Sequence, residues 1–361
     1  MCVLISERLQ YKEDWGHTQE AFAAWWRHEL DYPLLQATAP KGTAQPYQAF
    51  DWWWFLKCGD RPEQVLEWFE RYCEDTFFGG AAFPNLFLNL GPGVLAAFFS
   101  GYLRYDEAGA TSWFEAPQPW PVVESYRLQE QPWWAYTEAI TRMAAGASKG
   151  RFIVGTTDIG GILDVLASFR GTEHLLLDLL TEPERVNTMR AKILEAWHQV
   201  YDALDAIIAP VQHGTSAWMG LWCPGRWYPL QCDFCAMISP DMFEAFVASD
   251  VQEQCRRLDH AIYHLDGPGQ LPHLEYLLAI EELDGIQWVP GSGNPQCESP
   301  RWFGLYEKIL ASNKLLVLQC FDDVAKVSQV LDAIPGKGVL ASVGFNTEGE
   351  AKAFLKRNGR L

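Results

Sequence analysis

The chain has 361 residues, of which 48% are hydrophobic and 20% charged, and its formal net charge is −18. This length and apolar content are enough to build a large folded core. The negative charge repels phosphate backbones and anionic lipid surfaces, so we expect neither a nucleic-acid partner nor a membrane. The N-terminus has no signal-peptide pattern and no run reaches the roughly 18 apolar residues of a membrane span, so we expect a cytoplasmic protein.

The first part of the chain, residues 1–80, is predicted to form a helical, tryptophan-rich cover. Most of its indole rings should be buried, because large aromatic side chains usually belong to a core. Trp52, Trp53 and Trp54 are adjacent and cannot all face the same way. At least one of them is therefore expected to reach a cleft, where an indole could stack on a flat or sugar-like ligand.

The rest of the chain, residues 81–361, contains eight predicted strands. They lie at 85–90, 151–157, 215–221, 229–234, about 260–266, 285–290, 315–320 and 338–344. Most alternate with helices, which is typical of a parallel sheet and favours an α/β protein with a (β/α)8 TIM-type barrel. Residues 101–150 are rich in proline and are predicted to be a long ordered insertion of the kind that covers a site.

Polar side chains are expected where four of these strands end. They are Asp158, Asp233, His264 and Asp266. The carboxyl ends of barrel strands open on one face, so these four side chains are candidate catalytic groups. His264 and Asp266 are two positions apart on one strand face, which suits either a divalent metal ion or an acid–base pair. A single aspartate more often caps a loop, but the four residues together outweigh that interpretation.

Other residues are candidates either for substrate binding or for a structural role. Trp222, Trp227 and Trp288, with Trp52–Trp54, are candidate substrate-binding residues, because indoles beside carboxylates suit a carbohydrate. His260 lies nearer the start of its strand and is interpreted as structural. Cys232 and Cys235 form a C-x-x-C pair without a second pair at zinc spacing, so they are interpreted as core.

Two stretches resemble the uroporphyrinogen decarboxylase superfamily. The run Asp158–Glu184 contains Leu176-Leu177-Asp178-Leu179 followed by Pro183-Glu184, and Ile238-Ser-Pro-Asp-Met-Phe comes later. The resemblance covers roughly residues 80–361, and it implies a barrel. The superfamily contains cofactor-free decarboxylases of tetrapyrroles and zinc-dependent methyltransferases that pass methyl groups between corrinoids and thiols.

The chain departs from both branches of that superfamily. It lacks the arginine-rich N-terminal motif of the decarboxylases, and Asn89, a further candidate substrate-binding residue, stands where their aspartate would align. Against the zinc motif His-x-Cys-Gly it has His264-Leu265-Asp266-Gly267, and Gly344-Phe345 replace the region of a later cysteine. A pair formed by His264 and Asp266 favours zinc, manganese or a similar ion, and it would activate an oxygen atom better than a thiol.

The resemblance therefore favours an enzyme that performs metal-assisted or acid–base group transfer, with methyl transfer first, on a small polar molecule. A decarboxylase or another lyase is one alternative, and an enzyme or binder for a carbohydrate-like ligand is another. The expected metal is divalent, with zinc first. The sequence shows no cobalamin-binding domain, so a corrinoid would be supplied by a separate corrinoid protein. A homodimer is compatible with this hypothesis.

Overall fold

The computed structural model describes residues 8–42, 47–128 and 131–359. The strands are β1 Leu34–Pro40, β2 Thr76–Gly80, β3 Asn85–Phe87, β4 Arg104–Asp106, β5 Thr111–Trp113, β6 Ile153–Gly155, β7 Thr215–Ser216, β8 Trp222–Cys223, β9 Trp227–Gln231, β10 His260–Asp266, β11 Gly285–Val289, β12 Leu315–Leu318 and β13 Val339–Gly344. The α-helices are α1 Trp15–Trp26, α2 Trp54–Lys57, α3 Pro62–Asp75, α4 Leu95–Ser100, α5 Trp120–Ser125, α6 Pro132–Ser148, α7 Ile162–Arg170, α8 Thr172–Thr181, α9 Pro183–Ile208, α10 Pro240–Phe243, α11 Ser249–Arg256, α12 Leu274–Ala279, α13 Phe303–Ala311, α14 Val324–Ala333 and α15 Glu348–Arg357.

The main sheet has seven strands in the order β2-β1-β13-β12-β11-β10-β9, and all neighbours are parallel except β1 and β2. A second parallel pair joins β3 to β6. A bridge between Thr156 and Ala217 links the end of β6 to the chain after β7. The fold is thus mixed α/β with a mainly parallel sheet, as predicted. Within the described ranges the strand ladders are separate groups, so closure into a barrel stays a prediction.

All eight predicted strands are present, most of them shorter than predicted. The central strands β11 and β12 are mostly apolar and almost fully buried, as expected for a parallel sheet that helices cover. Leu315–Leu318 is buried at every position, and Gly285–Val289 at all but the last. The core therefore lies between this sheet and the surrounding helices. No helix in the described part of the chain is long and apolar enough to cross a membrane.

Residues 1–80, predicted to form a helical cover, also contain the two strands β1 and β2. Leu34–Pro40 is a strand of the main sheet, paired with β13 on one side and β2 on the other. Alanine, glutamine and proline give this stretch little intrinsic strand preference, so it is the pairing partners that make it extended. Helices α1 to α3 do precede or flank these strands, and Trp25 and Trp26 are buried as predicted.

The insertion at 101–150 is more regular than predicted. It contains the antiparallel hairpin of β4 and β5 and the 17-residue helix α6. Prolines did not prevent this helix because Pro132 occupies its first turn, where a missing N–H costs nothing. Helix α8 ends at Thr181, whose hydroxyl donates to Leu177 O. Ser239 and Thr347 cap the N-termini of α10 and α15 through their side chains.

Candidate metal centre

Three of the predicted residues come together at the carboxyl end of the main sheet. Asp233, His264 and Asp266 each offer one ligand atom, and these atoms all lie within 4.8 Å of one another. The register explains the meeting, because His264 is paired with Gln231 on β9, two residues before Asp233. Adjacent parallel strands that end together bring the residues after them to the same place.

The imidazole of His264 is oriented by a chain of amides. Its Nδ1 lies 2.5 Å from Gln287 Oε1, Gln287 Nε2 donates to Gln319 Oε1 at 2.5 Å, and Gln319 Nε2 donates to Met219 O at 2.9 Å. A backbone carbonyl only accepts, so Met219 fixes the direction of every bond in this relay. His264 must therefore carry its proton on Nδ1, which leaves the lone pair of Nε2 for a metal ion or a proton.

Asp233 is held in place by Asp164, a residue that the sequence analysis did not single out. Asp164 Oδ2 accepts from the N–H of Asp233 at 3.1 Å, and its Oδ1 accepts from the N–H of Phe234 at 2.8 Å. These bonds anchor the start of the 3-10 segment Asp233–Met237. Asp164 lies in the first turn of α7, where an acidic residue is common and therefore gives no functional signal.

The protein makes ionisation of these carboxyls costly. Burial, and then the negative charge of Asp233, raise the pKa of Asp164 to about 7. Burial also raises the pKa of Asp158 to about 7, with further contributions from Asp233 and Asp164, although the N–H of Gly160 donates to Asp158 Oδ1 at 2.8 Å. Desolvation raises the pKa of Asp233 as well, although its side chain reaches solvent, and the charge of Asp266 adds to this while His264 opposes it.

The donor set fits a divalent cation. In the described ranges none of the four aspartates has an ion pair with lysine or arginine, so their negative charge has no protein counter-ion. Ligand atoms at about 2.1 Å from a tetrahedral ion would be roughly 3.4 Å apart, so a small rotation of the side chains would close the observed cluster. Two carboxylates and one imidazole also leave a coordination position for a substrate or a water, as in catalytic sites.

The raised pKa of Asp158 leads to a prediction for the protein without metal. Between pH 4 and about 7 the folded chain holds a proton that the unfolded chain has released, since the ordinary pKa is 3.8 and the folded one about 7. Stability should therefore fall as the pH rises through this window, by up to about 1.4 kcal/mol per pH unit. Asp158→Asn lacks this contribution. In urea unfolding from pH 4.5 to 7.5, the free energy of unfolding of the variant should therefore rise relative to that of the wild type. If the free energies of unfolding of the two proteins change in parallel with pH, the raised pKa of Asp158 is contradicted.

Two cavities adjoin the cluster. One, of about 300 Å³, is lined by Asp233, Asp164 and Gln231 together with residues of the β4–β5 hairpin. The insertion therefore covers this site, as expected. The other, of about 430 Å³, is lined in part by Trp218 and Gln319. The ring of Trp218 meets the ring of His264 edge-on at 5.2 Å, and Gln319 belongs to the amide relay, so this cavity shares a wall with the centre.

The predicted tryptophan platform is placed differently. Trp222, Trp227 and Trp288 are at most 1% exposed, so they are part of the core and have no surface for a ligand. Trp227 and Trp288 lie in β9 and β11 of the main sheet, and Trp222 lies in β8, which pairs with β7. Trp53 and Trp54 pack on Tyr105 and Trp68. Trp52 does line the larger cavity.

Asn89 has a local structural contact. Its Oδ1 accepts from the N–H of Gly91 at 2.9 Å, which stabilises the turn after β3, and its side chain is buried. His260 also has the structural environment predicted for it: its Nδ1 lies 2.7 Å from Asp284 Oδ1, and its ring stacks on Trp26. The buried pair Cys232 and Cys235 belongs to the core, as predicted.

Comparison with known proteins gives a structural likeness alone. No family model matches the chain, and no curated protein matches it by sequence. Among solved structures, a methyltransferase from Methanosarcina mazei matches with a TM-score of 0.56 and 11% sequence identity, over 95% of this chain and 98% of that one. The two chains therefore share a fold over nearly their whole lengths.

Proposed function

We propose that this protein is a transferase that moves a methyl group with the help of a divalent cation held by Asp233, His264 and Asp266. The observation that carries the proposal is the convergence of these three ligand atoms within 4.8 Å beside an imidazole of fixed orientation. The fold of a methyltransferase favours methyl transfer among the group transfers that such a centre could support. Zinc is the first candidate ion, and manganese is the second.

The same likeness supports a place in the uroporphyrinogen decarboxylase superfamily and a barrel architecture. The β3–β6 pair and the Thr156–Ala217 bridge continue the strand order beyond the main sheet. The hydroxyl of Thr215 accepts from the N–H of Trp227 at 3.2 Å, which ties β7 to β9. A ring made of these strands would place Asp158, Asp233, His264 and Asp266 at one mouth.

The chemistry of the site divides between the ion and the protein. A divalent cation bound there would act as a Lewis acid on the atom that carries the methyl group and make that atom a better leaving group. His264 would bind it through Nε2, while the amide relay keeps the imidazole in the Nδ1–H form. Asp164 lines the same cavity as Asp233 and its burial favours the protonated form, so it is the group that would supply a proton to the departing atom.

A corrinoid is the methyl carrier that the proposal implies, supplied by a separate protein. The carbohydrate alternative loses its support because three of its six proposed stacking tryptophans are buried. No described feature favours a decarboxylase or another lyase over a transferase.

Methyl transfer can be tested with free cob(I)alamin in place of a corrinoid protein. The zinc-loaded chain is incubated with cob(I)alamin and, in turn, methanol, trimethylamine, dimethyl sulfide and 2-methoxyphenol. The cobalt electron pair forms the new bond to the methyl carbon, and the departing atom keeps its bonding pair and takes a proton. We expect faster appearance of methylcobalamin absorbance with at least one probe, and no acceleration by His264→Ala. Equal rates with and without the zinc-loaded protein for every probe would contradict the proposal.

A further inference from the structure

The larger cavity beside the centre has aromatic walls. Its volume of about 430 Å³ lies in the range of small-molecule sites. The rings that line it are Trp52, Tyr72, Phe78, Phe83, Phe87 and Trp218. They come from three parts of the chain, Trp52, residues 72–87 and Trp218, so the fold has gathered them around one space. Edge and face contacts with such rings favour a flat, aromatic guest.

No charged group faces this space. None of the described residues that line it is lysine, arginine, histidine, aspartate or glutamate. Burial raises the pKa of Tyr72 above its usual value, so its phenol stays neutral. An ion moved from water into an apolar space without a partner loses its hydration, which strongly disfavours a charged guest. The net charge of −18 adds a further penalty for an anion.

One wall of the cavity carries several hydrogen-bonding groups. Gln36 is paired with Ser342 in the β1–β13 register, and Thr38 is two residues further along the same face of β1. Gln36 Nε2 donates to Ala81 O and to Gly220 O, which leaves its Oε1 as an acceptor. Within the described ranges, the hydroxyls of Thr38 and Ser342 have no hydrogen bond. A guest with a hydroxyl or ether oxygen could bond to this wall.

Two lining residues, Trp218 and Gln319, connect the cavity to the candidate metal centre. Trp218 contacts the ring of His264 edge-on at an interplanar angle of 88°, and Gln319 is two bonds along the relay from His264. A guest in the cavity is therefore separated from His264 by a single layer of side chains. This position suits the body of a substrate whose reacting end extends toward the ion.

We propose that this cavity binds the methyl-bearing substrate and that this substrate is an uncharged molecule with an aromatic ring and an oxygen substituent. The inference rests on the proposed function, because it assigns the substrate class for the same centre. The inference requires only that the aromatic, neutral walls select the molecule that binds. The proposed function requires that the bound ion supports the reaction.

The inference is tested by calorimetric titration of the full chain with three matched probes at pH 7. They are 4-hydroxy-3-methoxybenzyl alcohol, 4-hydroxy-3-methoxybenzoate and 4-hydroxy-3-methoxybenzylamine, which share one ring and differ in the charge of a single substituent. We expect the neutral alcohol to bind at least tenfold more tightly than the anion and the cation. Equal affinities, or no binding of the alcohol, would overturn the inference.

Variants identify the cavity that is used. Ser342→Asp places a carboxylate on the polar wall. It should reduce the affinity for the alcohol at least tenfold and make the protein prefer the cation. Ser342→Ala keeps the wall neutral and should reduce the affinity for the alcohol only a few-fold. It replaces Ser342→Asp as the test if the aspartate variant does not fold. Met237→Asp alters the smaller cavity beside Asp233 and should leave the alcohol unaffected. If the affinity for the alcohol falls in Met237→Asp and not in Ser342→Asp, the alcohol binds in the smaller cavity and the inference is contradicted.

The two proposals fail separately in this design. Each titration is performed on zinc-loaded protein and on protein stripped by a chelator. Selective binding of the alcohol by a chain that retains no zinc after incubation with the ion would refute the metal-dependent transferase and keep the cavity assignment. A chain that holds zinc but does not prefer the neutral probe would refute the cavity assignment and leave the metal centre standing.

Discussion

His264→Ala is expected to lose the bound metal ion and the activity while the protein remains folded. The variant removes the only imidazole in the cluster, and the two carboxylates that remain repel each other without it. Loss of a group that carries a metal ion or a proton should reduce the rate by at least about 10²–10⁴-fold. The half-buried ring lies at the mouth of the sheet, so its removal should change the melting temperature little.

His260→Ala is the matched control, because both histidines lie on the same face of β10. His260 bonds to Asp284 at the start of the strand and stacks on Trp26 with ring centroids 4.6 Å apart. Its loss should cost about 1–3 kcal/mol of stability and leave metal content unchanged. Thermal melts and metal analysis of both variants make the comparison. A large drop in melting temperature for His264→Ala, with equal metal content in the two variants, would make His264 a structural residue.

Gln287→Leu should weaken metal binding, although Gln287 is not one of the proposed metal ligands. Leucine cannot accept from Nδ1 of His264 and cannot donate to Gln319, so the relay from Met219 is broken. The imidazole can then change its tautomer and turn, and loss of such a partner typically reduces metal affinity about 10–100-fold. Competition with a chromophoric zinc chelator measures the change in the dissociation constant.

Two controls separate this effect from a general loss of structure. Gln287→Glu keeps an acceptor for His264, so it should retain more zinc affinity than the leucine variant. Gln252→Leu removes a part-buried glutamine on α11 that bonds to Glu282, and it should leave zinc affinity unchanged. If Gln287→Leu binds zinc as tightly as the wild type, the relay does not orient the ligand.

The sequence was sufficient for the parallel strands and for the three residues of the cluster. Alternation along β10 puts His264 and Asp266 on one face, and Gly267 ends the strand beside them. Polar residues after apolar runs also marked Asp158 and Asp233. These features depend on local pattern and on the rule that parallel strands end together, so they can be derived without coordinates.

The remaining parts of the site depend on tertiary contacts. Gln287 and Gln319 are neutral, so a search for titratable or metal-binding residues passes over them, and their role appears only when three neighbouring strands are in register. The carboxylate of Asp164 bonds to amides 69 and 70 residues away. The tryptophans of β8, β9 and β11 were expected at the mouth, but the direction of a ring relative to the core is set by packing, which composition does not specify.

The central claim is that Asp233, His264 and Asp266 form one metal site, and metal stoichiometry tests it most directly. The purified full chain is stripped with a chelator, equilibrated with zinc or with manganese, freed of unbound ion by gel filtration and analysed for metal. The account predicts close to one ion per chain in the wild type and in His260→Ala, and almost none in Asp233→Ala, His264→Ala or Asp266→Ala. A wild-type chain that retains neither ion, or three variants that retain as much as the wild type, would contradict it.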